Sequence, residues 1–231
     1  MPNHFPFTLP IIQKLGKLSF HPNVTYIVGE NGVGKSTLLE ALAVALGFNL
    51  EGGSKNFSFS SYASHSNLHE FMQVVRGSNR PRDGYFFRAE TFYNVATQIE
   101  KLDQEPGSSR RIIDSYGGKS LHEQSHGEAF FAAFMERFSG NGLYILDEPE
   151  AALSPIRQLS MLARIDELVE QGSQFIISTH APLLMAYPDA KIFELDAEGI
   201  ADTRLENTQH YRIMKQFFED RGSLLHHLFQ K

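Results

Sequence analysis

The segment Gly29-Glu30-Asn31-Gly32-Val33-Gly34-Lys35-Ser36-Thr37 constrains this chain more than any other stretch. It matches Gly-x-x-x-x-Gly-Lys-Ser, with Gly29, Gly34, Lys35 and Ser36 in the fixed places. Glycine admits backbone conformations that a side chain forbids, so successive amide N–H groups can converge on one anion. The pattern has meaning only between a strand and a helix, and the flanks supply both. Val24 to Val28 is a β-branched and aromatic run that predicts a buried strand, and Ser36 to Leu46 predicts a helix with Gly47 as its stop. That helix turns its positive end toward whatever the loop holds. Asn31, Gly32, Val33, Gly34, Lys35, Ser36 and Thr37 are therefore the phosphate-binding candidates. Lys35 can reach the β- and γ-phosphates, and the Ser36 hydroxyl is placed to ligate Mg²⁺. A chance match to four fixed positions in 231 residues is on the order of 1%, so the motif points to a nucleoside triphosphate.

The rest of the chain predicts strands alternating with helices. Tyr85 to Ala89, Leu143 to Leu146 and Gln174 to Ser178 read as strands. Glu128 to Phe138 and Pro155 to Glu170 read as helices, the second starting with proline after Ser154. Residues 190–195 and 199–205 suggest a hairpin, followed by a helix over 208–220. The alternation implies an α/β domain with a mainly parallel sheet flanked by helices. Its length fits one domain, 1–231. Residues 48–120 are rich in glycine and proline at both ends and are expected to form an inserted subdomain between the loop helix and the later motifs, antiparallel or helical in character. The C-terminal Leu224-Leu225-His226-His227-Leu228-Phe229 is apolar enough to dock on the core or on a partner.

Two further strand ends carry chemistry. Leu143-Tyr144-Ile145-Leu146-Asp147-Glu148 is an apolar strand ending in carboxylates. Asp147 would face the Mg²⁺, and Glu148 would orient or deprotonate the attacking water. Phe175 to Ser178 leads into Thr179-His180. Its sheet neighbour would be the Asp147 strand, which brings His180 within reach of the γ-phosphate.

In this order the motifs resemble those of the ATP-binding cassette (ABC) ATPase superfamily. Gly29 to Thr37 resembles the Walker A loop, Leu143 to Glu148 the Walker B strand with its catalytic glutamate, and His180 the switch histidine. Gln124-Ser125-His126-Gly127-Glu128 is similar to the signature motif in its Ser and second Gly, and Glu150 to Ser154 resembles the D-loop. The resemblance implies a P-loop NTPase fold of ABC type. It also implies ATP hydrolysis with Mg²⁺, and an ATP-dependent head-to-tail homodimer with ATP between the Walker A loop of one copy and Ser125 and Gly127 of the other. The glutamine expected after the strand at 85–89 is replaced; Glu90 stands nearest and is the candidate for that metal contact. Ser154 replaces the D-loop aspartate, and His126 stands where the signature often has glycine. These departures look more like compact non-transporter bacterial ATPases related to the SMC group, without the coiled coil, than like a transporter subunit. A transporter ATPase subunit is the alternative.

His122-Glu123-Gln124-Ser125-His126 also matches His-Glu-x-x-His, a zinc-protease pattern when it lies on one helix. Close flanking glycines argue against that helix. Arg76, Arg80 and Arg82 read as a solvated loop. With no cysteine, disulfides and thiol catalysis are excluded. A formal charge of −6 argues against broad nucleic-acid binding, while leaving room for an unidentified protein or nucleic-acid partner. The N-terminus lacks a signal-peptide pattern, and the longest apolar tract, 38–50, is too short to span a bilayer. The expectation is a cytoplasmic protein that does not insert directly into a membrane.

Overall fold

The computed structural model describes residues 4–55, 66–78, 80–104 and 111–229, and, within them, not the side chains of residues 126 and 152. Its centre is a seven-stranded sheet of order β2-β3-β4-β5-β1-β6-β7. The strands are β1 Val24–Gly29, β2 Gly53–Ser54, β3 Asp83–Arg88, β4 Gly142–Asp147, β5 Gln174–Ser178, β6 Lys191–Asp196 and β7 Gly199–Thr203. The five central strands run parallel, and the short edge strands β2 and β7 are antiparallel to their neighbours.

Side chains alternate between the two faces of each strand, and both faces are covered. Tyr26, Val28, Tyr85, Phe87, Tyr144 and Leu146 point into one core, and Ile27, Phe86 and Ile145 into the other. Helices α3 Phe92–Asp103, α4 His126–Arg137 and α5 Pro155–Glu170 pack on the first face; α1 Pro10–Gln13 and α2 Lys35–Ala45 pack on the second. Helices α6 Gln209–Glu219 and α7 Arg221–Phe229 close the chain.

The described residues within 48–120 belong in part to the main sheet. They supply β3, which pairs along its whole length with the Walker B-like strand β4, from Asp83 beside Gly142 to Arg88 beside Asp147. Tyr85, Phe86 and Phe87 are almost fully buried, and burying them requires the main sheet. Residues 56–65, 79 and 105–110 of this range lie outside the described residues. Of the two expectations for the C-terminal apolar segment, docking on the core or on a partner, the first is not met. The segment forms α7, but Leu228 and Phe229 are exposed and do not dock on this chain's core.

Parallel registration brings the carboxyl ends of the central strands level. Asp147 lies beside Ser178, and Ser178 beside Ile27. In open α/β sheets such an edge is where ligands bind.

Candidate active site

The Walker A-like loop leaves β1 at Gly29 and enters α2 through Gly34, which has φ 109°. A Cβ on Gly34 would come within 2.9 Å of the Ile11 side chain, so glycine is required by conformation and by space. No side chain caps α2. Its first amides therefore lack the usual internal partner and are open to an anion. Asn31 and Gly32 are exposed at the rim, with Val33, Ser36 and Thr37 half-buried.

Lys35 is almost fully buried. Its ammonium donates to the carbonyl oxygens of Gly29 and Glu30, both at 3.0 Å, and lies 3.8 Å from Glu148 Oε1. Burial lowers its pKa; Glu148, Asp147 and Glu150 oppose that without reversing it. Ser36 Oγ donates to Asp147 Oδ1 at 3.1 Å, and so does Ser178 Oγ at 2.5 Å. Burial raises the Asp147 pKa against the pull of Ser178, Arg88 and Ser36. Two hard oxygens side by side, a buried ammonium and a loop with glycine at 29, 32 and 34 make a donor set that fits a triphosphate with Mg²⁺.

Glu148 occupies the left-handed region, φ 49° and ψ 53°. For a side-chain-bearing residue this is costly and is retained where surrounding contacts over-determine it. Here its N–H is held by Ser178, 3.1 Å from the carbonyl oxygen and 3.2 Å from the hydroxyl. The conformation carries the Glu148 carboxylate to His180 Nε2, 3.0 Å away. The His180 N–H donates to Glu150 Oε1 at 2.5 Å, and His180 Nδ1 lies 3.1 Å from His210 Nε2. Burial raises the Glu150 pKa, and the His180 amide offsets part of this. Glu30, Asn31, Glu148, Glu150, His180 and His210 line an open cleft of about 690 Å³.

Lys35, Ser36, Asp147, Glu148 and His180 are thus brought together. Ser125 and Gly127 are not joined to them. Ser125 is exposed and caps α4 in a reciprocal box with Glu128; its hydroxyl donates to Glu128 Oε2 at 2.5 Å. The Ser125 hydroxyl and amide lower the Glu128 pKa. Glu90 is exposed. Its carboxylate lies 3.8 Å from Arg88 Nη2, and Arg88 stands between it and Asp147, with Nε 3.7 Å from Asp147 Oδ2. The cation beside Asp147 is therefore Arg88, also paired with Glu40 at 2.9 Å.

The zinc-protease pattern fails on geometry. Residues 122–125 lie outside any helix, and α4 begins only at His126, so the two histidines do not share a helix face. His122 Nε2 instead lies 3.2 Å from Thr97 Oγ1. Among the described residues no group of three His, Cys, Asp or Glu side chains could hold a metal ion.

Arg88, Ser178, Glu150 and His210 were not singled out from sequence. Arg88 and Ser178 could have been found by aligning strand ends with Asp147. Glu150 reads in sequence only as the start of the D-loop-like stretch, with no contact to His180 expected. Nothing in the local pattern marks His210, which reaches the site only because α6 folds back over it.

The AAA domain family matches residues 10–132. The vitamin B12 import ATP-binding protein BtuD of Vibrio cholerae is 30% identical over 197 residues, spanning 75% of this chain and 75% of BtuD. The ABC transporter G family member STR2 of Medicago truncatula is 26% identical over 171 residues; the match covers 69% of this chain but only 24% of that larger protein. Among solved structures, an ATP-binding cassette of an ABC transporter in its ADP conformation superposes with a TM-score of 0.45 at 16% identity, covering 90% of this chain and 89% of the other. The chain belongs to the ABC-type ATPase superfamily.

Proposed function

We propose that the chain hydrolyses ATP with Mg²⁺ as an ATP-gated head-to-tail homodimer, outside a membrane transporter. The carrying observation is the convergence at one sheet edge of Lys35, the Ser36–Asp147 oxygen pair and the Glu148–His180 pair. Lys35 exchanges the carbonyls of Gly29 and Glu30 for phosphate oxygens. Ser36 and Asp147 would hold the Mg²⁺, which when bound would neutralise developing charge on the phosphates. Glu148 takes the proton of the attacking water, and His180 keeps its carboxylate aimed and reaches the γ-phosphate. Exposure of Ser125 and its separation from the Lys35 group support a site completed by a second copy, whose Ser125 hydroxyl and α4 amides meet the γ-phosphate from the other side. For this the hydroxyl must turn from Glu128 to the phosphate.

The test is Glu148→Gln. It should bind ATP, accumulate as an ATP-dependent dimer in sedimentation velocity, and lose about 10²- to 10⁴-fold in turnover, the range of a general base. Undiminished phosphate release would refute the mechanism. The names of BtuD and STR2 favour a second reading, an ATPase subunit of a membrane transporter. Among the described residues no helix is long and apolar enough to cross a membrane, so that reading needs a separate membrane partner. Capture with the ATP-loaded Glu148→Gln protein separates the two, since recovery of a membrane permease supports the transporter.

A further inference from the structure

We propose that His210 is a positioning residue for hydrolysis. Through it, the first turn of α6 holds the His180 imidazole in the tautomer that donates to Glu148. The inference rests on the reading of Glu148 as the base and His180 as its partner.

Three groups stand in line. Glu148 Oε1 is 3.0 Å from His180 Nε2, and His180 Nδ1 is 3.1 Å from His210 Nε2. An ionised carboxylate only accepts, and a neutral imidazole has one donor and one acceptor nitrogen. A neutral His180 between this carboxylate and His210 therefore carries its proton on Nε2, facing Glu148, and its Nδ1 accepts. His210 must then carry its own proton on Nε2 and donate it to His180. This leaves His210 Nδ1 as a bare acceptor. That atom is indeed buried, with no hydrogen-bond partner among the described residues. The opposite tautomer would bury an unsatisfied N–H there and set two lone pairs against each other across 3.1 Å.

A second proton on His210 is also disfavoured. The groups that act on it are His180 after β5, Glu194 on β6, Lys35 on α2 and Glu30 of the Walker A-like loop. Burial, followed by His180, moves its pKa down; the two carboxylates oppose this without reversing it. His210 therefore serves as a neutral donor.

The first turn of α6 is itself anchored. Thr208 is fully buried and caps the helix, accepting from the Tyr211 N–H at 3.3 Å. Gln209 donates through its backbone N–H to Glu194 Oε1 and through its side-chain amide to Glu30 Oε1, both at 2.9 Å. His180 has its main chain fixed by Glu150 and one ring edge on Glu148. What remains free is rotation and tautomerism of the ring, and His210 supplies that restraint. A group tied to the loop and to β6 thus sets the aim of the switch histidine. Such outer partners are worth about 10- to 100-fold in activity where they have been removed from other sites.

The experiment compares wild type, His210→Ala and His210→Gln in steady-state ATP hydrolysis, with Glu148→Gln in parallel. The Gln side chain offers an amide N–H at similar reach in place of imidazole Nε2–H. Expected is a fall in kcat of about 10-fold for His210→Ala with KM for ATP within about twofold, and recovery of most of the loss in His210→Gln. Imidazole ¹⁵N spectra of the nucleotide-free wild-type protein should show His180 protonated at Nε2 and accepting at Nδ1. Full kcat in His210→Ala, or equal impairment of the Ala and Gln variants, overturns the role of His210 provided Glu148→Gln is inactive. A His180 proton on Nδ1 overturns it whatever the kinetics. An active Glu148→Gln protein instead overturns the underlying assignment of the base.

Discussion

Arg137→Met tests whether the end of α4 fixes the strand that carries Arg88 to the active site. Arg137 grips Asp83 with two guanidinium nitrogens, Nη1 to Oδ2 at 2.9 Å and Nη2 to Oδ1 at 3.2 Å. Asp83 opens β3, while α4 opens with the Ser125 cap, so one ion pair ties together the far ends of both elements. The side chains are 20% and 17% exposed, a largely desolvated pair. Removing one partner of a buried pair costs about 3–5 kcal/mol. Here the Ser139 hydroxyl at 3.0 Å and the Tyr144 hydroxyl at 2.9 Å still face the carboxylate. Burial and the Asp83 charge push the Tyr144 phenol up to about 12, so it remains protonated. The expected loss is therefore about 2–3 kcal/mol. Asp83→Asn placed on top should restore part of it, because no charge is then left behind.

The pH dependence has a definite sign. Burial alone would lift the Asp83 carboxyl, but hydrogen bonding and charge from Arg137, with help from the Gly84 amide and Tyr144, hold it below its ordinary value. A depressed acid contributes stability that is present above the unfolded pKa, about 3.9, and is lost as pH falls through the lower folded value. The Arg137→Met penalty should be full near pH 7 and shrink below about pH 4. Urea unfolding followed by circular dichroism measures it. A penalty below about 0.5 kcal/mol at neutral pH would refute the reasoning, as would one that grows on acidification.

Two further substitutions test the phosphate site and its neighbours. Lys35→Met should keep the melting temperature within a few degrees yet weaken ATP binding about 10- to 100-fold in calorimetric titration, the worth of one charged hydrogen bond; unchanged affinity would place the phosphates elsewhere. Glu90→Ala should leave the Mg²⁺ requirement and turnover within about twofold because its carboxylate is solvated, whereas Arg88→Met, which removes the cation beside Asp147, should lower turnover about 10-fold; the reverse ranking in Mg²⁺-titrated assays would restore Glu90 as the metal contact.

Much of this protein is determined locally, and that part is legible in the sequence. Gly34 must be glycine for its own φ, α2 must start where the loop ends, and Pro155 after Ser154 starts α5 at the residue expected. The apolar runs ending in Asp147 and Ser178 announce strands because a doubly covered parallel sheet needs them apolar on both faces. Lys35, Ser36, Asp147, Glu148 and His180 sit on such elements. Within 48–120, glycine and proline mark connectors without saying that the strand between them joins the central sheet.

What only the tertiary structure decided is which strand ends and helix ends meet. Arg88 stands beside Asp147 through β3–β4 register, across 59 residues of chain. His210 reaches His180 because α6 turns back after the β6–β7 hairpin and is tied to Glu30 and Glu194. Propensity and periodicity act over a few residues, whereas these contacts depend on strand order, register and the fold-back of a terminal helix. The candidate phosphate cradle is a property of a contiguous segment and can be read there; the shell around the candidate catalytic groups exists only once the chain has folded.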